Sequence, residues 1–84
     1  LKHYLSLKAE HEDCLIFYQV GDFYELFFDD ALTAAKALNI TLTSRDKHSD
    51  NPVPMCGVPL GVVDTYLERL LDQGLSAAIV SQVG

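Results

Sequence analysis

Leu1, Tyr4 and Leu5 fall on one face of a helix, and Lys8 and Ala9 continue a helix-compatible run. The pattern predicts a short amphipathic helix, ended by the polar stretch His11-Glu12-Asp13. Residues 14–20 (CLIFYQV) are nearly continuously apolar, with aromatic and β-branched side chains, which predicts a buried strand. Gly21-Asp22 breaks that run, the glycine permitting a bend without steric cost. Residues 23–28 are again strand-like. Period two places Tyr24, Leu26 and Phe28 on one face and Phe23, Glu25 and Phe27 on the other. A buried, unpaired carboxylate is costly. The Glu25 face is therefore expected to be the open one, with Phe23 near solvent or a partner.

Asp29-Asp30 suits a helix start, where carboxylates cap free N–H groups and complement the dipole. Ala31, Ala34, Ala35 and Leu38 then give a helix with a small-residue face, and Asn39 is a C-cap candidate. Residues 40–43 alternate as a third strand, with Ile40 and Leu42 inward. Residues 44–51 (SRDKHSDN) are polar and predict a loop. That loop gathers the possible cations Arg45, Lys47 and His48, together with Asp46 and Asp50. Residues 52–59 (PVPMCGVP) predict a short edge strand running into a turn, with Pro59 opening the next helix. Val63, Tyr66, Leu67, Leu70 and Leu71 form the clearest helical stripe, with Asp64 near its start and Gly74 at its end. Residues 75–83 predict a last strand. The order α-β-β-α-β-β-α-β implies one α+β domain over residues 1–84, a compact mixed β-sheet covered by helices.

Composition narrows the function. The chain is 49% hydrophobic and carries six Lys+Arg against twelve Asp+Glu, a formal net charge of −6. Binding to nucleic acid by bulk charge requires the opposite balance. Any DNA contact must then be a specific probe, with general affinity supplied elsewhere. No apolar run approaches the ~20 residues of a membrane span, and no signal peptide pattern opens the chain. It begins with Leu1, which suggests a piece of a longer protein. Cys14 and Cys56 form no CxxC pair and are expected to be reduced thiols, one in a strand and one in a loop, of a cytoplasmic protein.

Asp22, Glu25, Asp29 and Asp30 cluster as nuclease carboxylates can, and a carboxylate metal site is one reading. The turn explains Asp22, however, and capping explains Asp29 and Asp30. The chain contains no GxSxG, HExxH or P-loop. His3, His11 and His48 have no ligand spacing and are expected to be solvated or at caps. Among six clustered aromatics, Phe23 is the hardest to assign to the core. A bend precedes it and a carboxylate follows two residues later. An apolar wedge beside a hydrogen-bonding group suits entry into a base stack.

The string GDFYELFFDDA, residues 21–31, closely resembles the Phe-x-Glu region in the N-terminal mismatch-recognition domain of the MutS family of DNA mismatch repair proteins. YLSLKAEH before it, and ITLTSRD, PVPMCGVP, YLERLLDQG and AIVSQVG after it, resemble successive blocks of the same domain. The resemblance implies that Phe23 stacks on a mispaired base from the minor groove and that Glu25 hydrogen-bonds to it. Arg45 and Met55 are further candidate DNA contacts. It also implies mismatched double-stranded DNA as the partner and no cofactor or catalysis in this chain. ATP and Mg²⁺ would serve other domains of a dimeric parent that works with MutL. The chain departs from the family pattern at Leu60-Gly61 after Pro59, at Ser44 before Arg45 and at Ser81 before Gln82. A diverged domain kept as a structural or protein-interaction module is the alternative.

Overall fold

The computed structural model describes residues 1–45 and 50–81. The elements follow the expected order: α1 (Lys2–Glu10), β1 (Cys14–Val20), β2 (Phe23–Phe27), α2 (Phe28–Leu38), β3 (Thr43–Arg45), β4 (Val53–Pro59), α3 (Val63–Asp72) and β5 (Ser76–Val80). A single 3-10 turn, Leu60–Val62, separates β4 from α3, so Pro59 closes a strand and does not open the helix. The strands form one mixed sheet in the order β3-β4-β2-β1-β5. Among the described residues β1 and β5 are the parallel pair, and the other pairs are antiparallel. Of the expected loop, residues 46–49 lie outside the described residues, as do residues 82–84 of the expected last strand.

Strand alternation divides the core in two. On one face Leu15, Phe17, Tyr24, Leu26, Cys56 and Val58 pack against Ala31, Ala34 and Leu38 of α2 and Leu70 of α3. The alanines let α2 lie close to the sheet. On the other face Ile16 and Phe27 pack under Tyr4 of α1. This corrects the reading of the Glu25 face as simply open. Phe27 is buried at one end of that face, while Phe23 is exposed at the other. The switch is local: α1 is short and covers only part of the sheet.

Other expectations are displaced. Helix α1 buries only Tyr4, and Leu5 is exposed. Beside the packing of Tyr4, it is attached by polar contacts through Asp30. Asp30 does not cap α2, whose N-cap residue is Phe27 and has no side-chain cap bond. The carboxylate is buried, accepting from Tyr4 Oη at 2.6 Å, Lys8 Nζ at 2.8 Å and the Ile16 amide at 3.1 Å. Burial and the Asp30 carboxylate both push the Tyr4 hydroxyl up. Phe28 leaves the strand with φ 55 and turns the chain sharply into α2, a left-handed conformation that strains a bulky residue. Asn39, also at φ 55, caps α2 as expected.

The third strand lies at residues 43–45, later than expected, so Ser44 and Arg45 belong to a strand and not to the loop. Leu42 is exposed, not inward. The ladder forms where β4 supplies partners: Thr43–Met55, Ser44–Pro54 and Arg45–Val53. For the same reason β4 is not an edge. It lies between β3 and β2, yet β3 pairs only with residues 53–55 and β2 only with residues 55–59. Pro54 and Pro59 therefore each have one unpaired side, where a missing N–H breaks no ladder bond. In α3 the stripe holds through Leu70, but Leu71 is exposed.

Both cysteines are free, and both lie in strands, which corrects the placement of Cys56 in a loop. Cys56 is buried, and burial followed by the nearby Asp30 pushes its thiol from 9.0 up to about 11. A raised pKa means the neutral thiol stabilises the fold below pH 9, and that contribution fades as pH rises through about 11. At pH 8, iodoacetamide is expected to alkylate Cys14 well before Cys56, as mass spectrometry of timed digests can show. Equal rates would contradict this burial.

Candidate nucleic-acid interface

The hairpin of β1 and β2 closes through two residues, Gly21 and Asp22, since Val20 pairs with Phe23. Gly21 has φ 60, the conformation that a type II′ turn gives to its first loop residue. The Leu60 amide donates to the Asp22 carbonyl at 3.0 Å, which ties the hairpin tip to the end of β4. Phe23 thus leaves a braced turn, not a free loop.

Register builds the surface in rows across β1, β2 and β4. The first row is Val20–Phe23–Pro59 and the second is Tyr18–Glu25–Gly57. Phe27–Met55 continues into Thr43 of β3, and Val53–Arg45 follows. All these side chains belong to the α1 face of the sheet. Phe23 is 46% exposed and Val20 44%, whereas Tyr24, on the opposite face in the core, is 9% exposed. Tyr24 packs edge-on to Phe17, with centroids 6.4 Å apart. The expected separation of Phe23 and Glu25 from Tyr24 therefore holds.

Glu25 is half-buried, one row in from Phe23. Successive residues on one strand face stand ~7 Å apart, which suits a ring and a carboxylate addressing one planar group. Met55 and Arg45 share the face but lie farther along it. Met55 packs with the Phe27 cluster, and the Arg45 guanidinium lies 5.9 Å from the Phe27 ring centroid. Two other cations are engaged away from Phe23: Lys8 with Asp30, and Arg69 with the Leu38 carbonyl at 2.8 Å. Among the described residues no group of three or more His, Cys, Asp or Glu could hold a metal ion, and Asp30 is committed to the α1 contact.

His3 is exposed in the first turn of α1, as expected, and it also meets Tyr18. His3 Nδ1 lies 2.7 Å from the Tyr18 hydroxyl, and the rings meet edge to face. His11 ends α1 as its C-cap, while His48 lies outside the described residues. Sequence reasoning also missed Val20, Tyr18 and Gly57 as neighbours of Phe23 and Glu25. Only strand register reveals them, and no local motif encodes it.

Fold and surface together define a small α+β domain, with an exposed aromatic and a nearby carboxylate on a braced hairpin. The profile of MutS domain I matches residues 1–84, and the chain belongs to that family. It is 58% identical over 82 residues to a DNA mismatch repair protein MutS of Desulfovibrio desulfuricans, covering 98% of this chain and 9% of that protein. It is 51% identical over 83 residues to a protein of the same name from Staphylococcus epidermidis, covering 99% and 10%. With that of Desulfatibacillum aliphaticivorans the identity is 55% over 83 residues, covering 99% and 9%. The chain spans about a tenth of the length of these curated relatives. Among the described residues no helix is long and apolar enough to cross a membrane.

Proposed function

We propose that this chain is the mismatch-recognition domain of a longer, cytoplasmic MutS-type DNA mismatch repair protein. The observation that carries the reading is the pairing of exposed Phe23 with Glu25 on one sheet face, in a chain of the MutS domain I family. Phe23 enters the minor groove and stacks on a mispaired base. Unstacking costs a few kcal/mol, and least where pairing is already weak. Selection thus comes from DNA deformability. Glu25 hydrogen-bonds to the base that Phe23 exposes.

The acidic balance supports the same reading. Glu25 brings negative charge near phosphates, and in paired DNA no freed base edge compensates for the repulsion. A probe with net charge −6 does not cling to every duplex. Clamping, dimerisation, contact with MutL and ATP hydrolysis with Mg²⁺ belong to other segments of the parent. The residues here do not suit nucleotide phosphates, because the chain has no P-loop.

The test uses the full-length protein and two duplexes that differ by one G·T pair. Tighter binding to the G·T duplex is expected, and equal affinities would leave only the structural-module reading. Glu25→Ala is expected to bind the paired duplex several-fold more tightly and so discriminate less, as one removed charge repulsion allows. A fall in paired-duplex affinity would overturn the repulsion argument.

A further inference from the structure

Gly57 stands beside Glu25 in the register, on the β4 side. A glycine inside a strand weakens it, so its presence needs a cause. Backbone conformation is not the cause, since the glycines with positive φ are Gly21 and Gly74. Internal crowding is not the cause either. A Cβ at Gly57 would stand 3.7 Å from Phe23 Cδ1 and 3.8 Å from the Tyr24 carbonyl oxygen, ordinary contact distances. The residue is exposed, and the fold has room for a methyl group there.

What remains is an approach from outside. Glu25 has two cross-strand neighbours, Tyr18 and Gly57. The Tyr18 side is filled: its hydroxyl meets His3 of α1, and its ring packs edge-on to Tyr4 at 6.5 Å. The Gly57 side is bare backbone, with the Phe23 ring lying against it. For a planar group stacked on that ring, the bare Gly57 side is the cross-strand side of the carboxylate left uncovered.

We propose that Gly57 is a specificity-determining residue, the bare floor across which the mispaired nucleotide reaches Glu25. This rests on the mismatch-recognition reading of Phe23 and Glu25. A side chain at position 57 fills the approach and confines the Phe23 ring. Gly57→Val raises a barrier of branched carbons, while Gly57→Ala, whose methyl group the fold accommodates, raises a smaller one.

The experiment measures, in the full-length protein, the ratio of affinities for a G·T duplex and a fully paired duplex. Wild type, Gly57→Ala, Gly57→Val and Phe23→Ala are compared. For Gly57→Val the ratio is expected to fall about tenfold, as when one base contact is lost. Its melting temperature should stay level or rise, because a β-branched residue favours a strand. Gly57→Ala is expected to fall between Gly57→Val and wild type. If Gly57→Val keeps the wild-type ratio while Phe23→Ala loses it, the Gly57 proposal is overturned and the wedge stands. If Phe23→Ala keeps the ratio, the mismatch reading falls and takes this proposal with it. Should Gly57→Val fail to fold, Gly57→Ala decides, and an unchanged ratio overturns the proposal.

Discussion

Asp30→Ala is expected to unfold the domain or bring it close to unfolding. The carboxylate is 4% exposed and receives the Tyr4 hydroxyl, the Lys8 ammonium and the Ile16 amide. It joins α1, β1 and α2 at one point. Truncation leaves the Ile16 N–H without that acceptor in the core and Lys8 beside no counter-charge. The Tyr4 proton is left to the Phe27 carbonyl, 3.0 Å away. Removing one partner of a buried ion pair costs ~3–5 kcal/mol. At ~0.05–0.15 kcal/mol per residue, a chain of this length has only roughly 4–13 kcal/mol in total. With ~4–8 °C lost per kcal/mol in small domains, the melting temperature should fall by at least about 12 °C. Lys8→Met, which removes a partly exposed partner, should cost much less. Thermal scans by circular dichroism check both. An Asp30→Ala melting temperature within 3–4 °C of wild type would show that α1 is not held this way, since that drop corresponds to under ~1 kcal/mol.

Asp30 also shows where sequence reading ends. Beside Asp29, and before an alanine-rich run, it has every local mark of a helix-start carboxylate. Its partners Tyr4 and Lys8 lie 26 and 22 residues away, and no periodicity links them to it. Local patterns served well where one residue's neighbours decide its state. The bend at Gly21, the cap at Asn39 and the burial of Tyr24 and Leu26 all follow from them. They misplaced whatever depends on pairing. The short α1 covers Phe27 but not Phe23, so one face of a single strand is core at one end and surface at the other. Residues 43–45 pair where residues 40–42 do not, because β4 offers partners only there. The candidate site divides in the same way. Phe23 and Glu25 were legible from period two and the family resemblance, while Gly57 and Tyr18 required the register.

Phe23→Ala should abolish mismatch preference while leaving the fold almost untouched. On the mismatch reading the ring supplies both the wedge and the stacking surface. Stacking of a base on an aromatic side chain contributes ~1–3 kcal/mol, so losing it should reduce affinity for a G·T duplex by roughly 5- to 150-fold. Affinity for paired DNA should change little, because there the ring has no weakened step to enter. Phe23 as a residue is nearly half exposed, so its truncation should change stability by no more than ~1 kcal/mol. Tyr24→Ala is the control that separates fold from function. Its ring is in the core against Phe17, so that variant should lose ~3–5 kcal/mol of stability. Phe23→Leu keeps an apolar wedge but no π face, and should retain part of the preference. Fluorescence anisotropy with the full-length protein at fixed salt measures all three against both duplexes. If Phe23→Ala still prefers the G·T duplex by the wild-type margin, this ring does not probe the base stack. Its exposure on the braced hairpin would then point to a protein-interaction surface instead.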